Sequence, residues 1–142
     1  MNYNLVKANI DNQELLIKYK LNSIIDYATN LSEEEINKIN NYVKTNIPKQ
    51  ISNYKLIIVN DNIIGCLLVE KYKDGILLDE IYIESNFRNL GIGSSIIENI
   101  IKDNKIIYLW VYKNNVKAIK LYLKLKFKIE EETETRYFMK RN

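Results

Sequence analysis

A pair of closely spaced glycines, Gly91 and Gly93, is the feature that most constrains how this chain folds. The chain has only four glycines in 142 residues, and this pair separates two regular stretches. The run Ile76–Ile83 before the pair is strand-like, and segment 92–101 after it has apolar residues at helical spacing. The sequence therefore predicts a strand, a glycine loop and a helix in direct succession.

Such a loop is suited to bind an anion. The first N–H groups of a helix have no partner within the helix, and the aligned peptide dipoles favour negative charge there. Glycine lets a phosphate approach the backbone closely. A P-loop motif is absent, and the third glycine of a dinucleotide fingerprint is replaced by Ile96. Taken alone, a Gly-x-Gly pair marks a simple turn more often than a site.

Hydrophobic periodicity predicts the other elements. The predicted strands are 3–9, 54–59, 63–72, 76–84, 106–112, 127–129 and 136–140, and the predicted helices are 14–28, one that Ser32 caps, 92–101 and 115–125. Pro48 is expected to bend or end the second helix, and Asn60–Asn62 forms a hairpin turn. The order β-α-α-β-β-β-α-β-α-β-β predicts an α/β fold of the α+β type. Its central sheet is mixed, mostly antiparallel and flanked by helices.

Length and composition predict one domain, residues 1–142. The 46% hydrophobic and 27% charged content is that of an ordinary globular protein. Cys66, the single cysteine, follows a glycine in a predicted core strand and is expected to serve packing. A lone cysteine, no signal peptide and no apolar run of membrane-spanning length predict a cytoplasmic protein without a membrane partner. The oligomeric state stays open, a homodimer included.

Charge is unevenly distributed along the chain. The net charge is +3, but segment 101–128 holds eight lysines and one acid, so it carries +7 and the remainder −4. A solvated lysine face and a surface for a polyanionic ligand explain this equally well. The aromatic-and-glycine strand motif of an RNA-recognition sheet is absent, and nucleic acid is not predicted as a partner.

The helix predicted at 115–125 carries the second group of candidate residues. Asn115, Ile119 and Tyr122 share one face of it and can line a cleft. On structural grounds alone, Tyr122 is more often an aromatic residue at the edge of a core.

The glycine loop and this helix together resemble the GNAT family of N-acetyltransferases. The resemblance rests on Arg88-x-x-Gly91-x-Gly93 after a strand, and on Asn115-x-x-Ala118-x-x-x-Tyr122 followed by Phe127. Motif agreement runs over residues 80–127, and the predicted element order extends it over nearly the whole chain. The resemblance implies the acetyltransferase fold, acetyl-CoA as cosubstrate, no metal, and direct acetyl transfer to an amine acceptor.

The resemblance also assigns residues to the cofactor and to the chemistry. The glycine loop cradles the pyrophosphate, the preceding strand bonds the acetyl oxygen and the pantetheine amides, and the helix asparagine contacts the cofactor. The tyrosine acts as general acid toward the departing thiolate. The implied cofactor-binding residues are Ile81, Tyr82, Ile83, Arg88, Asn89, Leu90, Gly91, Ile92, Gly93, Ser94 and Asn115, and the implied acid is Tyr122.

The general base is less constrained. Some relatives carry a glutamate five residues before the motif asparagine, where this chain has Trp110. Glu80 is the first substitute, with Asp79 and Glu84 behind it; a solvated carboxylate at a strand end explains Glu80 equally well. A second departure is Lys126, where the family has glycine before the phenylalanine. If the left-handed helix end is kept, lysine costs about 1 kcal/mol there.

The leading hypothesis is an acetyl-CoA-dependent N-acetyltransferase that acts on a primary amine of a small molecule or a peptide. The alternative is a non-catalytic module that binds acyl-CoA. Glu33–Glu35 suit a cationic acceptor in the family's acceptor wall, although helix capping is their first explanation.

Overall fold

A computed structural model describes all residues of the chain, 1–142. Seven strands form one sheet in the order β1-β2-β3-β4-β5-β7-β6, flanked by four α-helices. The strands are β1 (Asn4–Lys7), β2 (Tyr54–Val59), β3 (Asn62–Tyr72), β4 (Gly75–Ile83), β5 (Ile107–Tyr112), β6 (Lys128–Glu132) and β7 (Arg136–Arg141). The helices are α1 (Gln13–Ile25), α2 (Glu33–Gln50), α3 (Ile92–Asp103) and α4 (Val116–Lys124). None of these helices combines the length and apolar character needed to cross a bilayer.

The predicted element order is confirmed, and the sheet is mixed and mostly antiparallel. Strands β4 and β5 pair in parallel, whereas β1–β2, β2–β3, β5–β7 and β6–β7 pair antiparallel. The ends of several elements differ from prediction: β1 is shorter at both ends, α1 stops at Ile25, and β6 extends to Glu132. Helix α2 does not end at Pro48 but continues to Gln50. Proline removes one N–H donor from the helix. Because Pro48 lies near the end of a long helix, most of the backbone hydrogen bonds of α2 remain intact.

Local sequence signals explain where elements begin and turn. The Ser32 hydroxyl accepts from Glu35 N at 3.1 Å and the Glu35 carboxylate accepts from Ser32 N at 3.2 Å, a reciprocal capping box. Asn60 and Asp61 have φ of 50° and 65°, as a tight hairpin turn with two left-handed residues requires. Both features agree with the sequence-based assignment.

The chain groups into two compact units. The N-terminal unit comprises Asn2–Leu68 and Glu80–Glu84; the C-terminal unit comprises Val69–Asp79 and Ser85–Asn142 together with Met1. The prediction of one domain over 1–142 stays a prediction.

The N-terminal unit has a hydrophobic core between α1, α2 and the strands β2 and β3. Its fully buried side chains include Leu16 and Tyr19 of α1, Ile47 of α2 and Tyr54 of β2. Gly65 in β3 allows the carboxyl end of β4 to approach, because a Cβ at Gly65 would lie 2.0 Å from the carbonyl oxygen of Tyr82. The backbone around residues 80–84 is therefore held tightly against β3.

In the C-terminal unit, the end of α4 forms a Schellman motif. Phe127 N donates to Tyr122 O at 3.0 Å and Lys126 N donates to Leu123 O at 3.1 Å, while Lys126 takes a left-handed φ of 77°. The Phe127 ring packs on the Tyr122 ring with centroids 5.5 Å apart, the apolar contact that accompanies this motif. The left-handed helix end expected at Lys126 is therefore present.

Candidate active site

The glycine loop of the C-terminal unit leads directly into α3. Gly91 is the N-cap residue, with a left-handed φ of 84° and no side-chain hydrogen bond to the helix. The Gly91 carbonyl accepts a hydrogen bond from Ser95 N at 3.0 Å, which is the first hydrogen bond of the helix. The N–H groups before Ser95 therefore have no acceptor within the helix. A Cβ at Gly91 would meet no atom within 4 Å, so the space beside the loop is open. This geometry suits the approach of an anion.

A lysine outside the sequence motif is hydrogen-bonded to the loop. Lys117, in the first turn of α4, donates a hydrogen bond from its ammonium to the side-chain oxygen of Asn89. Asn89 itself has a left-handed φ of 64°, a conformation that asparagine tolerates. Arg88 is exposed beside it in the chain. The only sequence signal for Lys117 was the excess of lysines in segment 101–128.

Helix α4 supplies the two other residues predicted from the motif. The Asn115 side-chain oxygen accepts from Ala118 N at 3.3 Å, so Asn115 caps the helix. Tyr122 is buried, with 7% of its surface exposed, and its ring rests on Phe127. Arg141 donates from Nε to Leu125 O at 2.7 Å and satisfies a carbonyl at the helix end.

In the N-terminal unit, Glu80 is a buried carboxylate surrounded by donors. Its Oε1 accepts from the Tyr54 hydroxyl at 2.6 Å and lies 3.8 Å from Lys20 Nζ, and its Oε2 accepts from Cys66 Sγ at 3.2 Å. Only 6% of Glu80 is exposed, which excludes a solvated carboxylate at the strand end. Cys66 packs in the core as expected, and burial, with Glu80 beside it, raises the pKa of its thiol well above the ordinary value.

A second carboxylate follows at the end of β4. Tyr19 of α1 donates from its hydroxyl to Glu84 Oε2 at 2.5 Å, and the Tyr19 ring stacks on Tyr82 with centroids 4.8 Å apart. Asn22, one turn further along α1, donates to the Tyr82 hydroxyl at 3.4 Å. Tyr19 and Asn22 were not predicted, because nothing in a single sequence indicates which helix position faces a strand end 60 or 65 residues away.

Trp110 lies in β5, five residues before Asn115. Its indole is partly exposed in β5, and the Arg136 guanidinium lies 4.7 Å from the ring centroid. Phe138 of β7 packs on the indole at 4.7 Å between centroids. The position therefore presents an aromatic surface with a stacked cation.

The predicted site residues divide between the two units. Arg88–Ser94, Asn115 and Tyr122 belong to the C-terminal unit, whereas Glu80–Ile83 belong to the N-terminal unit. The parallel ladder between β4 and β5 ends at Leu78, while strand β4 continues to Ile83. No group of three or more histidine, cysteine, aspartate or glutamate side chains is placed to hold a metal ion.

Comparison with known proteins gives a consistent result. A family model described as an acetyltransferase (GNAT) domain matches residues 52–129, more than half of the chain. No curated protein sequence matches the chain significantly.

Solved structures share the whole fold at low sequence identity. The PaiA N-acetyltransferase from Thermoplasma acidophilum, in complex with coenzyme A, has a TM-score of 0.75 and 22% identity over 100% of this chain and 99% of that one. The N-acetyltransferase from Staphylococcus aureus Mu50 has a TM-score of 0.70 and 14% identity over 96% and 98%. The Arabidopsis thaliana Naa50, in complex with the bisubstrate analogue CoA-Ac-MVNAL, has a TM-score of 0.64 and 22% identity over 100% and 99%.

Proposed function

Because this chain belongs to the GNAT acetyltransferase family, we propose that it transfers the acetyl group of acetyl-CoA directly to a primary amine of a small molecule or a peptide. The observation that carries the proposal is the start of α3, where a left-handed glycine with open space beside it replaces a side-chain cap. The coenzyme A complex of PaiA and the bisubstrate complex of Naa50 support acetyl-CoA as the cosubstrate.

In this proposal the loop binds the pyrophosphate of the cofactor. The N–H groups of residues 89–94 and the dipole of α3 favour two adjacent phosphates, and no side chain at Gly91 intervenes. Arg88 contributes its charge, and Lys117 adds a second cation through its contact with Asn89. Charge from both cations makes cofactor affinity decrease as salt increases.

The transfer itself requires an acceptor nitrogen, an oxyanion site and an acid. The acceptor ammonium first gives one proton to water, and the neutral amine then attacks the thioester carbonyl to form a tetrahedral oxyanion. Collapse of this intermediate breaks the C–S bond and releases the thiolate, and the nitrogen gives up a second proton as the amide forms. We assign stabilisation of the acetyl oxygen and binding of the pantetheine amides to the main chain of Ile81–Ile83. We assign Asn115 to the cofactor, and we assign protonation of the thiolate to the Tyr122 hydroxyl.

Glu80 has a different role in this proposal from the one that the sequence suggested. Each of its carboxylate oxygens already accepts a hydrogen bond, from Tyr54 and from Cys66. A general base must also lie within hydrogen-bond reach of the proton that it takes up, and only 6% of Glu80 is exposed. We therefore propose that Glu80 holds β4 to the neighbouring elements of its unit and takes no part in proton transfer.

The experiment is thiol release from acetyl-CoA with a panel of amines, amino acids, aminoglycosides and peptides, with acetylated product identified by mass. Tyr122→Phe keeps the ring and its Phe127 contact but removes the acid, so kcat falls by about 10²-fold or more while cofactor affinity is unchanged. Tyr42→Phe is the matched control, because Tyr42 is 64% exposed on α2.

Three outcomes distinguish the possibilities. Product with an amine supports the proposal. Cofactor binding without turnover of any acceptor supports the alternative, a module that only binds acyl-CoA. Absence of cofactor binding refutes both. A cytoplasmic location belongs to the same proposal, and cell fractionation tests it. The oligomeric state, a homodimer included, stays open, and light scattering measures it.

A further inference from the structure

Glu84 is a half-buried carboxylate that no lysine or arginine of the chain neutralises. Its contacts are one hydrogen bond at Oε2 from Tyr19 and a main-chain bond from its own N to Ile64 O at 2.8 Å. The other carboxylate oxygen has no donor from the protein. By contrast Glu80, four residues earlier, has donors at both oxygens and a lysine beside it. Partial burial reduces the hydration of a carboxylate, so a cationic ligand that supplies the missing countercharge is favoured there.

The charge of this cluster is a single negative one. Burial, followed by the hydrogen bond to Glu84, raises the pKa of Tyr19 far above that of an ordinary phenol. The Tyr19 hydroxyl therefore stays protonated at physiological pH and remains a donor, and the negative charge stays on Glu84. No other acidic side chain is in hydrogen-bond contact with the pair.

The cluster also contains an aromatic face and is rigid. Tyr82 is half-buried and stacks on Tyr19, and Asn22 fixes its hydroxyl. The Glu84 backbone is bonded to β3, where Gly65 permits close contact with the β4 end. A carboxylate beside an aromatic ring favours an organic cation. A divalent metal ion needs several oxygen ligands, and a single carboxylate does not supply them.

We propose that Glu84, with Tyr19 and Tyr82, forms the subsite that holds an ammonium group of the acceptor. This inference rests on the proposed acetyl transfer and narrows its acceptors to amines that carry a positive charge when they bind. Glu84 supplies the countercharge, Tyr82 supplies a ring face, and Tyr19 is a positioning residue that fixes one carboxylate oxygen.

The kinetic test uses an amine that the wild-type protein acetylates. Glu84→Gln removes the charge and raises KM for that amine about 10- to 100-fold, the effect of losing a hydrogen bond to a charged group, while KM for acetyl-CoA is unchanged. In the wild type and in Glu84→Asp, which keeps the charge, KM for the amine increases with salt concentration. In Glu84→Gln this salt dependence is lost. Tyr19→Phe keeps the stacked ring and raises the amine KM about 3- to 10-fold. Glu14→Gln is the control, because it makes the same charge change at an exposed position of the same unit.

A second measurement does not depend on turnover. In an NMR titration with n-butylammonium, the amide signals of Tyr82 and Glu84 shift in the wild-type protein and in Glu14→Gln, but not in Glu84→Gln. The spectrum of Glu84→Gln recorded without ligand shows whether that variant is folded. Tyr19→Phe is a second variant, and it makes a smaller structural change.

The outcomes separate this inference from the proposed function. If no amine is acetylated but n-butylammonium shifts these signals only when Glu84 is present, the subsite stands and the transferase proposal fails. If an amine is acetylated with the same KM by the wild type and by folded Glu84→Gln, the subsite is refuted and the transferase proposal stands. Shifts that persist in Glu84→Gln also refute the subsite.

Discussion

Lys126→Gly is expected to stabilise the protein. Lys126 holds a φ of 77° at the end of α4, where a side chain crowds the backbone and costs about 1 kcal/mol or somewhat more relative to glycine. The lysine side chain is exposed and makes no ion pair or hydrogen bond, so its removal sacrifices no contact. The expected gain in unfolding free energy is therefore about 1 kcal/mol.

This gain corresponds to a measurable shift in Tm. An unfolding entropy of about 2.1 cal/mol/K per residue gives about 0.3 kcal/mol/K for a chain of this length, so Tm rises by about 3 °C. Calorimetry measures the shift directly, and urea unfolding followed by the fluorescence of the single tryptophan gives the free energy.

Two further variants isolate the backbone term. Lys126→Ala removes the same charge but keeps a Cβ, so its stability stays within about 0.5 kcal/mol of wild type. Lys124→Gly places glycine in the last helical residue of α4 and lowers stability by up to about 1 kcal/mol. If Lys126→Gly is no more stable than Lys126→Ala, then backbone strain at Lys126 does not lower the free energy of unfolding as proposed.

Three other perturbations test the remaining structure. Gly91→Val weakens acetyl-CoA binding at least tenfold, about 1.4 kcal/mol by calorimetry, whereas Asn60→Val places a β-branched residue at a left-handed position of the hairpin turn at Asn60–Asn62 and leaves affinity unchanged. Equal affinities of the wild type and Gly91→Val would remove the loop from the cofactor site. Glu80→Gln lowers the unfolding free energy by about 2 kcal/mol in urea, because one buried donor loses its charged acceptor, and an unaltered midpoint would contradict the network. Burial raises the pKa of the Cys66 thiol, so the folded protein keeps a proton that the unfolded protein releases above the ordinary thiol pKa of about 8.5. The contribution of this thiol to the free energy of unfolding is therefore complete below that pH, and above it the free energy of unfolding falls by at most about 1.4 kcal/mol per pH unit. Cys66→Ser, which keeps a donor for Glu80, should flatten this slope between pH 8 and 9.5, and an identical slope would assign the effect elsewhere.

Sequence patterns predicted what depends on neighbours along the chain. The order of strands and helices follows from periodicity, the loop at Gly91 from a rare glycine pair, and the Ser32 cap from residues three positions apart. Each of these signals is local, and each could be recognised without knowing the fold.

The polar contacts of the candidate site are not local, and the sequence did not predict them. Tyr54 and Glu80 are 26 residues apart, and Tyr19 and Glu84 are 65 apart. With eleven tyrosines in the chain, alternation and helical spacing do not determine which hydroxyl meets which carboxylate. That choice depends on the packing of α1 against the sheet of its unit, so the burial of Glu80 and the pairing of Glu84 emerged only from the structure.

The burial of Cys66, the single thiol of the chain, allows its chemical modification to report local opening of the protein. An alkylating reagent such as iodoacetamide modifies Cys66 only when the core of the N-terminal unit opens, since the closed state exposes none of that side chain. Where reclosing is faster than alkylation, the modification rate measures the population of the open form. A ligand that binds only the closed form slows labelling by the factor 1 + [L]/Kd, so the affinity of a candidate acceptor can be measured by mass spectrometry without turnover.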